Sequence, residues 1–171
     1  MDRTGKNPEI TLRPVVEEDL AVFFAQEQDE EALWMAAFTP KDPTDVEAFR
    51  AHWAKVLADE TITIRTILHE GAVAGHIVRH SWFGDPEVSY WIGKEHWGKG
   101  IATRALAAFL DLVATRPLFA RAAKDNAASI RVLEKCGFVR EREERGFANA
   151  RDAEIDELVF RLPGEPGGGR A

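Results

Sequence analysis

Residues 90–103 read Tyr-Trp-Ile-Gly-Lys-Glu-His-Trp-Gly-Lys-Gly-Ile-Ala-Thr, and this stretch decides how the chain folds. Residues 88–92 are apolar, aromatic or β-branched for the most part, which predicts a strand. The apolar spacing over residues 106–113 predicts a helix. Gly98 and Gly100 lie at the junction, where glycine allows a tight turn and the close approach of a ligand. The stretch therefore predicts a strand, a glycine loop and the first turn of a helix.

The predicted start of this helix has the properties of an anion site. Its first backbone N–H groups lack internal partners and the helix dipole places partial positive charge there, so phosphate suits it. From these residues alone, a tight turn without any ligand is an equal alternative. The spacing excludes a P-loop, because Lys99 and Gly100 are followed by Ile101 instead of Lys-Ser/Thr. A dinucleotide fingerprint is excluded as well, because its third glycine would stand where Thr103 is.

Composition and charge are those of an ordinary globular protein. The chain has 171 residues, of which 45% are hydrophobic and 30% charged. This length suits one domain with a sizeable core. We expect that domain over residues 9–163, between a flexible N-terminus (1–8) and a disordered tail rich in glycine and proline (164–171). The net charge of −7 argues against nucleic acid or an anionic membrane as the main partner and is compatible with a cationic amine.

Cysteine usage and hydropathy favour a cytoplasmic location. Cys136 is the single cysteine, so an internal disulfide is excluded, and this fits a reducing compartment. The sequence has no run of about 18 apolar residues and no apolar core of a signal peptide near its start. His76 and His80 share one face of a predicted strand, but no His or Cys cluster supports a metal site. We expect no metal.

Upstream of the central stretch, the pattern predicts a strand, two helices and then two more strands. Residues 10–13 predict a first strand, which a helix with an acidic first turn follows. Thr44 and Glu47 predict a capping box at the start of another helix. Residues 61–68 and 73–80 predict two consecutive strands.

A second informative stretch, residues 125–138, reads Asp-Asn-Ala-Ala-Ser-Ile-Arg-Val-Leu-Glu-Lys-Cys-Gly-Phe. Its physics is that of a well-capped helix, with Asp125 or Asn126 at the start and Gly137 just past the end. On this interpretation Ser129 is a first-turn residue whose hydroxyl satisfies the backbone.

The two stretches together resemble the diagnostic motifs of the GNAT superfamily of N-acetyltransferases. Residues 97–102 are similar to its acyl-CoA loop, Arg/Gln-x-x-Gly-x-Gly/Ala, and Gly100 and Ala102 match. Trp97 stands where Arg or Gln is usual, but tryptophan is common there in the branch resembling ribosomal-protein N-terminal acetyltransferases. Residues 126–138 are similar to the second motif, Asn-x-x-Ser-Ile-x-x-Leu-x-Lys-x-Gly-Phe. Two motifs in the right order are far more specific than either alone.

This resemblance covers about residues 9–163 and implies an α/β (α+β) fold. The expected fold has a mixed, mostly antiparallel central sheet of six or seven strands with helices on both sides. The implied co-substrate is acetyl-CoA, whose pyrophosphate would bind the N–H groups of the glycine loop and whose pantetheine arm would pair with the central strand. The cofactor-binding residues implied are Trp91, Ile92, Gly93, Trp97, Gly98, Lys99, Gly100, Ile101, Ala102, Thr103, Asn126 and Ser129.

The implied reaction moves an acetyl group to a primary amine, on a peptide N-terminus or a small molecule, by direct attack on the thioester. Glu87 matches the carboxylate that opens the family's central strand and is the candidate base. From the residues alone it is equally an exposed strand-end carboxylate. Many members carry a tyrosine acid where this chain has Leu133, and the single tyrosine, Tyr90, belongs to the central strand. Ser129 is therefore the candidate hydrogen-bond donor to the CoA sulfur.

Alternatives from other function classes remain open at this point. The absence of tyrosine at Leu133 favours a catalytically silent CoA-binding regulatory domain. The glycine loop by itself allows a nucleotide-binding module. The acidic residues 27–31 are either a solvated turn or part of the acceptor pocket, since the family's first helices cover that side. The resemblance also allows a homodimer, without identifying an interface.

Overall fold

A computed structural model describes residues 9–164 of the chain. The predicted N-terminal segment (1–8) and all but the first residue of the predicted tail (164–171) lie outside this range. The strands are β1 (Ile10–Arg13), β2 (Thr63–His69), β3 (Ala72–His80), β4 (Glu87–Ile92), β5 (Leu118–Ala123), β6 (Val139–Ala148) and β7 (Ala153–Leu162). The helices are α1 (Glu17–Gln26), α2 (Glu30–Ala36), α3 (Val46–Ala58), α4 (Ile101–Leu112) and α5 (Ala127–Lys135), and a 3-10 turn spans Lys94–His96.

The seven strands form one sheet in the order β1-β2-β3-β4-β5-β7-β6. Every neighbouring pair is antiparallel except β4 and β5, which run parallel. The prediction of a mixed, mostly antiparallel sheet of six or seven strands is confirmed. The parallel pair needs a crossover, and α4 supplies it, as strands that run in the same direction require.

Two apolar clusters cover the two faces of the sheet and place helices on both sides, as predicted. On one face, α4 and α5 bury Leu106, Phe109 and Leu133 against the central strands. On the other face, Phe23 of α1 and Trp53 of α3 pack against β2 and β3. Burying apolar surface is the main favourable contribution to folding, so these clusters hold the helices to the sheet.

The sheet opens between its two parallel strands. Among the described residues, Glu87 and Phe119 form the single backbone pair that joins β4 to β5. This pair lies at the amino ends of both strands, so their carboxyl ends diverge. Ligands of open α/β sheets bind outside the carboxyl ends of strands, where neighbouring connections leave in different directions. The divergence positions a cleft that α4 and α5 flank.

Two helix boundaries differ from the sequence-based predictions. Asp45, instead of Thr44 with Glu47, caps α3, because its carboxylate accepts a hydrogen bond from the Ala48 N–H (3.0 Å). The Thr44 hydroxyl donates to Asp42 instead, at 2.6 Å. Pro117 predicts that the helix after the glycine loop ends at residue 116, because the residue before a proline is pushed out of the helical region, but α4 ends at Leu112.

Arg116 accounts for the early end of α4. Its guanidinium donates to the backbone carbonyls of Val113 (2.8 Å) and Leu110 (3.4 Å). A cationic side chain that bonds the last carbonyls of a helix can replace a further helical turn.

Candidate active site

A cavity of ≈ 1430 Å³ lies at the point where β4 and β5 diverge. It exceeds the usual range for small-ligand pockets, about 300–1,000 Å³, and so has room for a large cofactor and a second substrate. Of the expected site residues, the cavity wall includes Glu87, Trp91, Ile92, Trp97, Gly98, Gly100, Ile101, Ala102, Thr103, Asn126 and Ser129. Gly93 and Lys99 are not part of this wall.

The glycine loop presents an uncapped helix N-terminus to the cavity. Gly98 and Gly100 have φ of +76° and +73°, which only glycine adopts without strain. The first backbone bond inside α4 runs from the Arg104 N–H to the Gly100 carbonyl (3.2 Å). No side chain in the described part of the chain caps this end. The first-turn N–H groups of α4 are therefore available to an anion.

The N-terminus of α5 also reaches the cavity, and here a side chain caps it. The Asn126 amide oxygen accepts from the Ser129 N–H (3.2 Å), and its amide nitrogen donates to the Met35 carbonyl (3.2 Å). Asn126 thus joins α5 to the end of α2. Both of these contacts are internal, so the expected contact of Asn126 with a cofactor stays a prediction.

In the described part of the chain, the edge of β4 that faces the cleft has no partner strand beyond the Glu87–Phe119 pair. The Gly93 N–H donates to Ala74 of β3 (2.8 Å), and the Pro86 carbonyl accepts from Phe119 of β5 (2.9 Å). Backbone groups alternate between the two sides of a strand. Tyr90 and Ile92 therefore direct their N–H and carbonyl groups toward the cleft, where the Ile92 carbonyl accepts a hydrogen bond from the Trp97 indole N–H (2.8 Å). The prediction for Ile92 agrees with this register, whereas the backbones of Trp91 and Gly93 face β3.

Among the described residues, the Ser129 hydroxyl makes no hydrogen bond with a backbone group. Such a bond was the predicted alternative to a catalytic role. Its hydroxyl lies 3.0 Å from the Tyr90 hydroxyl, at hydrogen-bond distance. Tyr90 is on β4 and projects to the face that α5 covers. Burial raises the pKa of Tyr90 to about 12, and the hydrogen bond with Ser129 opposes this rise. A tyrosine therefore lies next to Ser129, the candidate hydrogen-bond donor, but it belongs to β4 and not to α5.

Glu87 is buried, so its interpretation as an exposed strand-end carboxylate is wrong. Its carboxylate accepts from Arg121 of β5 at 3.0 Å. Arg121 also donates to Glu144 (2.7 Å) and Glu157 (3.1 Å) on β6 and β7. Burial raises the pKa of Glu87 above its ordinary value, and Arg121 opposes this. The Arg121 guanidinium thus faces three carboxylates, of which Glu144 also accepts from Arg142 (2.7 Å).

The opposite wall of the cavity is aromatic and acidic. Large apolar side chains with substantial exposure surround its opening, among them Phe83 at 70% and Phe147 at 55%. Trp82 stacks on His80 with ring centroids 3.7 Å apart. Glu27 and Glu31 also line the cavity, which supports the interpretation of the acidic stretch 27–31 as part of a pocket.

The two histidines of β3, His76 and His80, line the cavity. His80 is buried, and desolvation lowers its pKa to about 4, so it is neutral near pH 7. His76 packs edge-on against Phe23 and Trp53. Within residues 9–164, no group of three or more His, Cys, Asp and Glu side chains is arranged to hold a metal ion. Nor does this range contain a helix of the length and apolar character that crossing a membrane requires.

Comparison with known proteins gives the class of the fold and the site. Residues 9–139 match the family described as acetyltransferase (GNAT) domain. A Bacillus subtilis (strain 168) protein named "Putative ribosomal N-acetyltransferase YdaF" is 31% identical, over 79% of this chain and 80% of that protein. The chain belongs to the GNAT acetyltransferase family, and the predicted enzyme class, an N-acetyltransferase, is confirmed.

Solved structures share the fold. The RimL ribosomal L7/L12 alpha-N-protein acetyltransferase in complex with coenzyme A superposes with a TM-score of 0.78 at 18% identity, over 91% of this chain and 94% of that one. The spermidine N-acetyltransferase from Vibrio cholerae in complex with CoA and spermine has a TM-score of 0.72 at 19% identity, over 90% of this chain and 95% of that one. At these identities the likeness shows the fold alone.

Sequence reasoning missed Arg121 and the position of the Tyr90 hydroxyl. Arg121 is the single charged residue of β5, a strand that is otherwise small and apolar, and this pattern signals a buried charge with a partner. For Tyr90 the signal is the alternation of side chains along β4, which assigns Val88, Tyr90 and Ile92 to one face. That this face meets Ser129 depends on how α5 packs.

Proposed function

We propose that this chain transfers an acetyl group from acetyl-CoA to a primary amine by direct attack on the thioester. The observation that carries the proposal is the cleft at the diverging ends of β4 and β5, onto which two helix N-termini open. A free strand edge, an anion site and a second, acidic compartment meet there. These three features match a nucleotide-bearing acyl donor and a cationic acceptor.

For the donor, the first-turn N–H groups of α4 would bind the pyrophosphate of acetyl-CoA. The pantetheine arm would add to the open edge of β4 through the backbone of Tyr90 and the N–H of Ile92, as an extended chain adds to a sheet edge. Arg131 and Lys135 of α5 line the cavity. Their positive charge would suit the phosphate of acetyl-CoA that is not part of the pyrophosphate. The thioester would then lie near Ser129.

For the reaction, the amine must lose its proton before it can attack, so a base is needed near neutral pH. Glu87 is our candidate, acting directly or through a water molecule. Its raised pKa brings it closer to the range of a useful base, and Arg121 keeps it oriented. A backbone N–H of β4 would hold the oxyanion, and the Ser129 hydroxyl would donate to the sulfur as negative charge develops there.

For the acceptor, we propose a peptide N-terminus in preference to a polyamine. The curated relative is named for ribosomal N-acetylation, and it covers most of this chain. The exposed aromatic side chains around the cavity opening, such as Trp82 and Phe83, suit the side chains of a peptide more than a chain of methylenes and amines. The acidic wall suits the positive charge of the terminus. A cytoplasmic location and a homodimer stay predictions.

The test begins with melting temperatures at saturating acetyl-CoA, with ATP as the matched control. A ligand at 100 times its dissociation constant adds about 2.7 kcal/mol, which means a rise of several degrees for a chain of this size. Thiol release is then followed with acetyl-CoA and two acceptors, a short peptide with a free N-terminus and spermidine.

Each outcome selects one reading. A melting temperature that rises with acetyl-CoA but not with ATP, followed by turnover of the peptide, supports the proposal. Turnover of spermidine but not of the peptide would reverse the order of acceptors. A rise without turnover of any amine would indicate a silent CoA-binding domain. An equal rise with ATP would indicate a nucleotide-binding module, and no rise with either ligand would refute the donor site.

A further inference from the structure

The two hydroxyl groups of Tyr90 and Ser129 lie 3.0 Å apart where β4 meets the first turn of α5. Both residues line the cavity. They are brought together by two separate elements, because Tyr90 belongs to the strand edge that receives the donor and Ser129 to the helix beside it. Among residues 9–164, neither of the two hydroxyls has another hydrogen-bond partner.

The direction of this hydrogen bond decides what Ser129 can do. Each hydroxyl has one proton to donate. If Ser129 donates to Tyr90, its proton is occupied and cannot reach a sulfur atom at the same time. If Tyr90 donates to Ser129, the serine proton is free. A phenol is a stronger acid than an aliphatic alcohol, so Tyr90 is the better donor and Ser129 the better acceptor.

We propose that Tyr90 is a positioning residue for acetyl transfer: its hydroxyl donates to Ser129 and so directs the serine proton at the sulfur of acetyl-CoA. The inference rests on the proposed acetyl transfer. A tyrosine on the central strand then substitutes in part for the one absent at Leu133, through the intervening serine. Because hydrogen bonds in a chain strengthen one another in a low-dielectric site, Tyr90 also makes Ser129 a stronger donor.

The proton balance agrees with a positioning role. The carbon–nitrogen bond forms and the carbon–sulfur bond breaks, so one proton leaves nitrogen and one must finally reach sulfur. Burial raises the pKa of Tyr90 to about 12, whereas an ordinary thiol titrates near about 8.5. Tyr90 therefore keeps its proton. The sulfur leaves as a thiolate that hydrogen bonds stabilise, and solvent protonates it afterwards, while the amine proton goes to the base.

The first experiment replaces Tyr90 by phenylalanine, which keeps the ring in the core and removes the hydroxyl. We expect kcat to fall roughly ten-fold with KM for acetyl-CoA unchanged, since one hydrogen bond that acts in the transition state is lost. Combining Tyr90→Phe with Ser129→Ala should lower kcat no further than Ser129→Ala alone, because the two groups act in series. Additive losses would overturn the proposal.

A direct readout is the pKa of the CoA thiol when CoA is bound. The ultraviolet absorbance of the thiolate is followed against pH, with the unliganded protein subtracted. Tyr90→Phe should raise the midpoint by about one pH unit, equivalent to the ten-fold loss. A merely structural tyrosine would leave the midpoint where it is in the wild type.

The chain contains one tyrosine, so biosynthetic incorporation of 3-fluorotyrosine changes Tyr90 alone. This analogue keeps the hydroxyl and makes it a stronger donor, so the thiol midpoint should fall below the wild-type value. An unchanged midpoint would contradict the proposal, even if Tyr90→Phe fails to fold.

Thr66→Val is the matched control. It removes another buried hydroxyl, which donates to Asp19 at 2.6 Å and does not line the cavity. This variant should keep the wild-type kcat below its melting temperature. If the wild type shows no turnover and no acetyl-CoA binding, the proposed function fails. If turnover is present and Tyr90→Phe equals the wild type, this inference alone fails.

Discussion

At the scale of single residues, the site is organised by partners that burial makes necessary. A buried charge without a partner is costly, so Glu87 needs Arg121 and Arg121 needs further carboxylates. The same cluster that satisfies the fold also places a carboxylate with a raised pKa in the wall of the cavity. Structural and chemical requirements therefore coincide at Glu87.

Replacing Glu87 by glutamine tests its role as the base. The amide keeps an acceptor for Arg121 but cannot take a proton from the amine, so we expect kcat to fall about 10²- to 10⁴-fold. The KM for acetyl-CoA should change little. In the wild type, activity should rise with pH through a pKa above that of an ordinary glutamate, because burial favours the protonated form and the base must be deprotonated.

The control for this prediction is Glu157→Gln, which alters the same Arg121 cluster on β7. It should retain most of the activity, because Glu157 lies on β7, two strands away from β4, whereas Glu87 lies on β4 itself. Equal losses in the two variants would mean that Glu87 serves only to hold Arg121.

At the scale of elements, each functional segment is the end of a strand or the start of a helix. The loop before α4 is an example, because left-handed glycines turn the chain so that the helix opens on the cavity. An added side chain at Gly100 would meet no other atom within 4 Å, so the constraint is the backbone conformation and not the available space.

Gly100→Ala should therefore cost about 1–2 kcal/mol of stability, the usual penalty for a left-handed alanine, and should weaken acetyl-CoA binding. Thermal melts and titration with acetyl-CoA measure the two effects. Gly84→Ala is the matched control, since Gly84 also has a positive φ (+104°) and open space. It should lose similar stability while its acetyl-CoA affinity stays that of the wild type, and a parallel loss of affinity there would count against the anion site.

Another buried charge connects three elements near the N-terminus of the described chain. Asp19 at the start of α1 accepts from Arg13 of β1 (2.7 and 2.9 Å) and from Thr66 of β2 (2.6 Å). Burial alone would raise the pKa of Asp19, but these hydrogen bonds lower it from 3.8 to about 2. The carboxylate is thus stabilised in the folded state relative to the unfolded state.

The pH dependence of stability follows from the sign of this shift. Because the folded pKa lies below the unfolded one, the contribution of Asp19 is present above pH ~4 and is lost as the pH falls toward ~2. It amounts to about 2 kcal/mol, at about 1.4 kcal/mol per pKa unit. Asp19→Asn should remove this contribution at neutral pH. The free energy of unfolding, measured by denaturant titration, should then fall less steeply between pH ~4 and ~2. Glu18→Gln, one residue earlier and exposed, should leave this fall unchanged.

At the scale of the whole molecule, charge and shape act on the acceptor together. The chain carries a net charge of −7, and the acidic side chains of Glu27 and Glu31 line the cavity. Such a negative field attracts cations. Salt screens it, and the screening length falls from about 10 Å at 0.1 M to about 3 Å at 1 M ionic strength.

We therefore expect kcat/KM for a cationic peptide to fall several-fold between low and high salt, because steering is screened. Initial rates at fixed acetyl-CoA measure this. A peptide of the same length with a compensating acidic residue should show a much smaller change. A salt effect of equal size on both peptides would place its origin in the binding of acetyl-CoA.

Much of the fold and part of the site were predictable because their determinants are local. The strand before Gly98, the helix after Gly100 and a cap at Asp125 or Asn126 follow from spacing and side-chain type, and the structure contains all three, with Asn126 as the cap. The cap of α3 was assigned to the wrong residue, because Thr44 and Asp45 are both good caps and only the geometry of the preceding turn selects between them.

The sequence by itself determined the order of the elements, the family and the stretch that turns a helix N-terminus toward a ligand, since these depend on neighbours along the chain. Only the tertiary structure decided which backbone groups of β4 face the cleft, that Arg121 pairs with Glu87, and that Tyr90 reaches Ser129. Those contacts join residues 34 and 39 positions apart. They depend on strand register and helix packing, which burial across the whole sheet sets and no local pattern encodes.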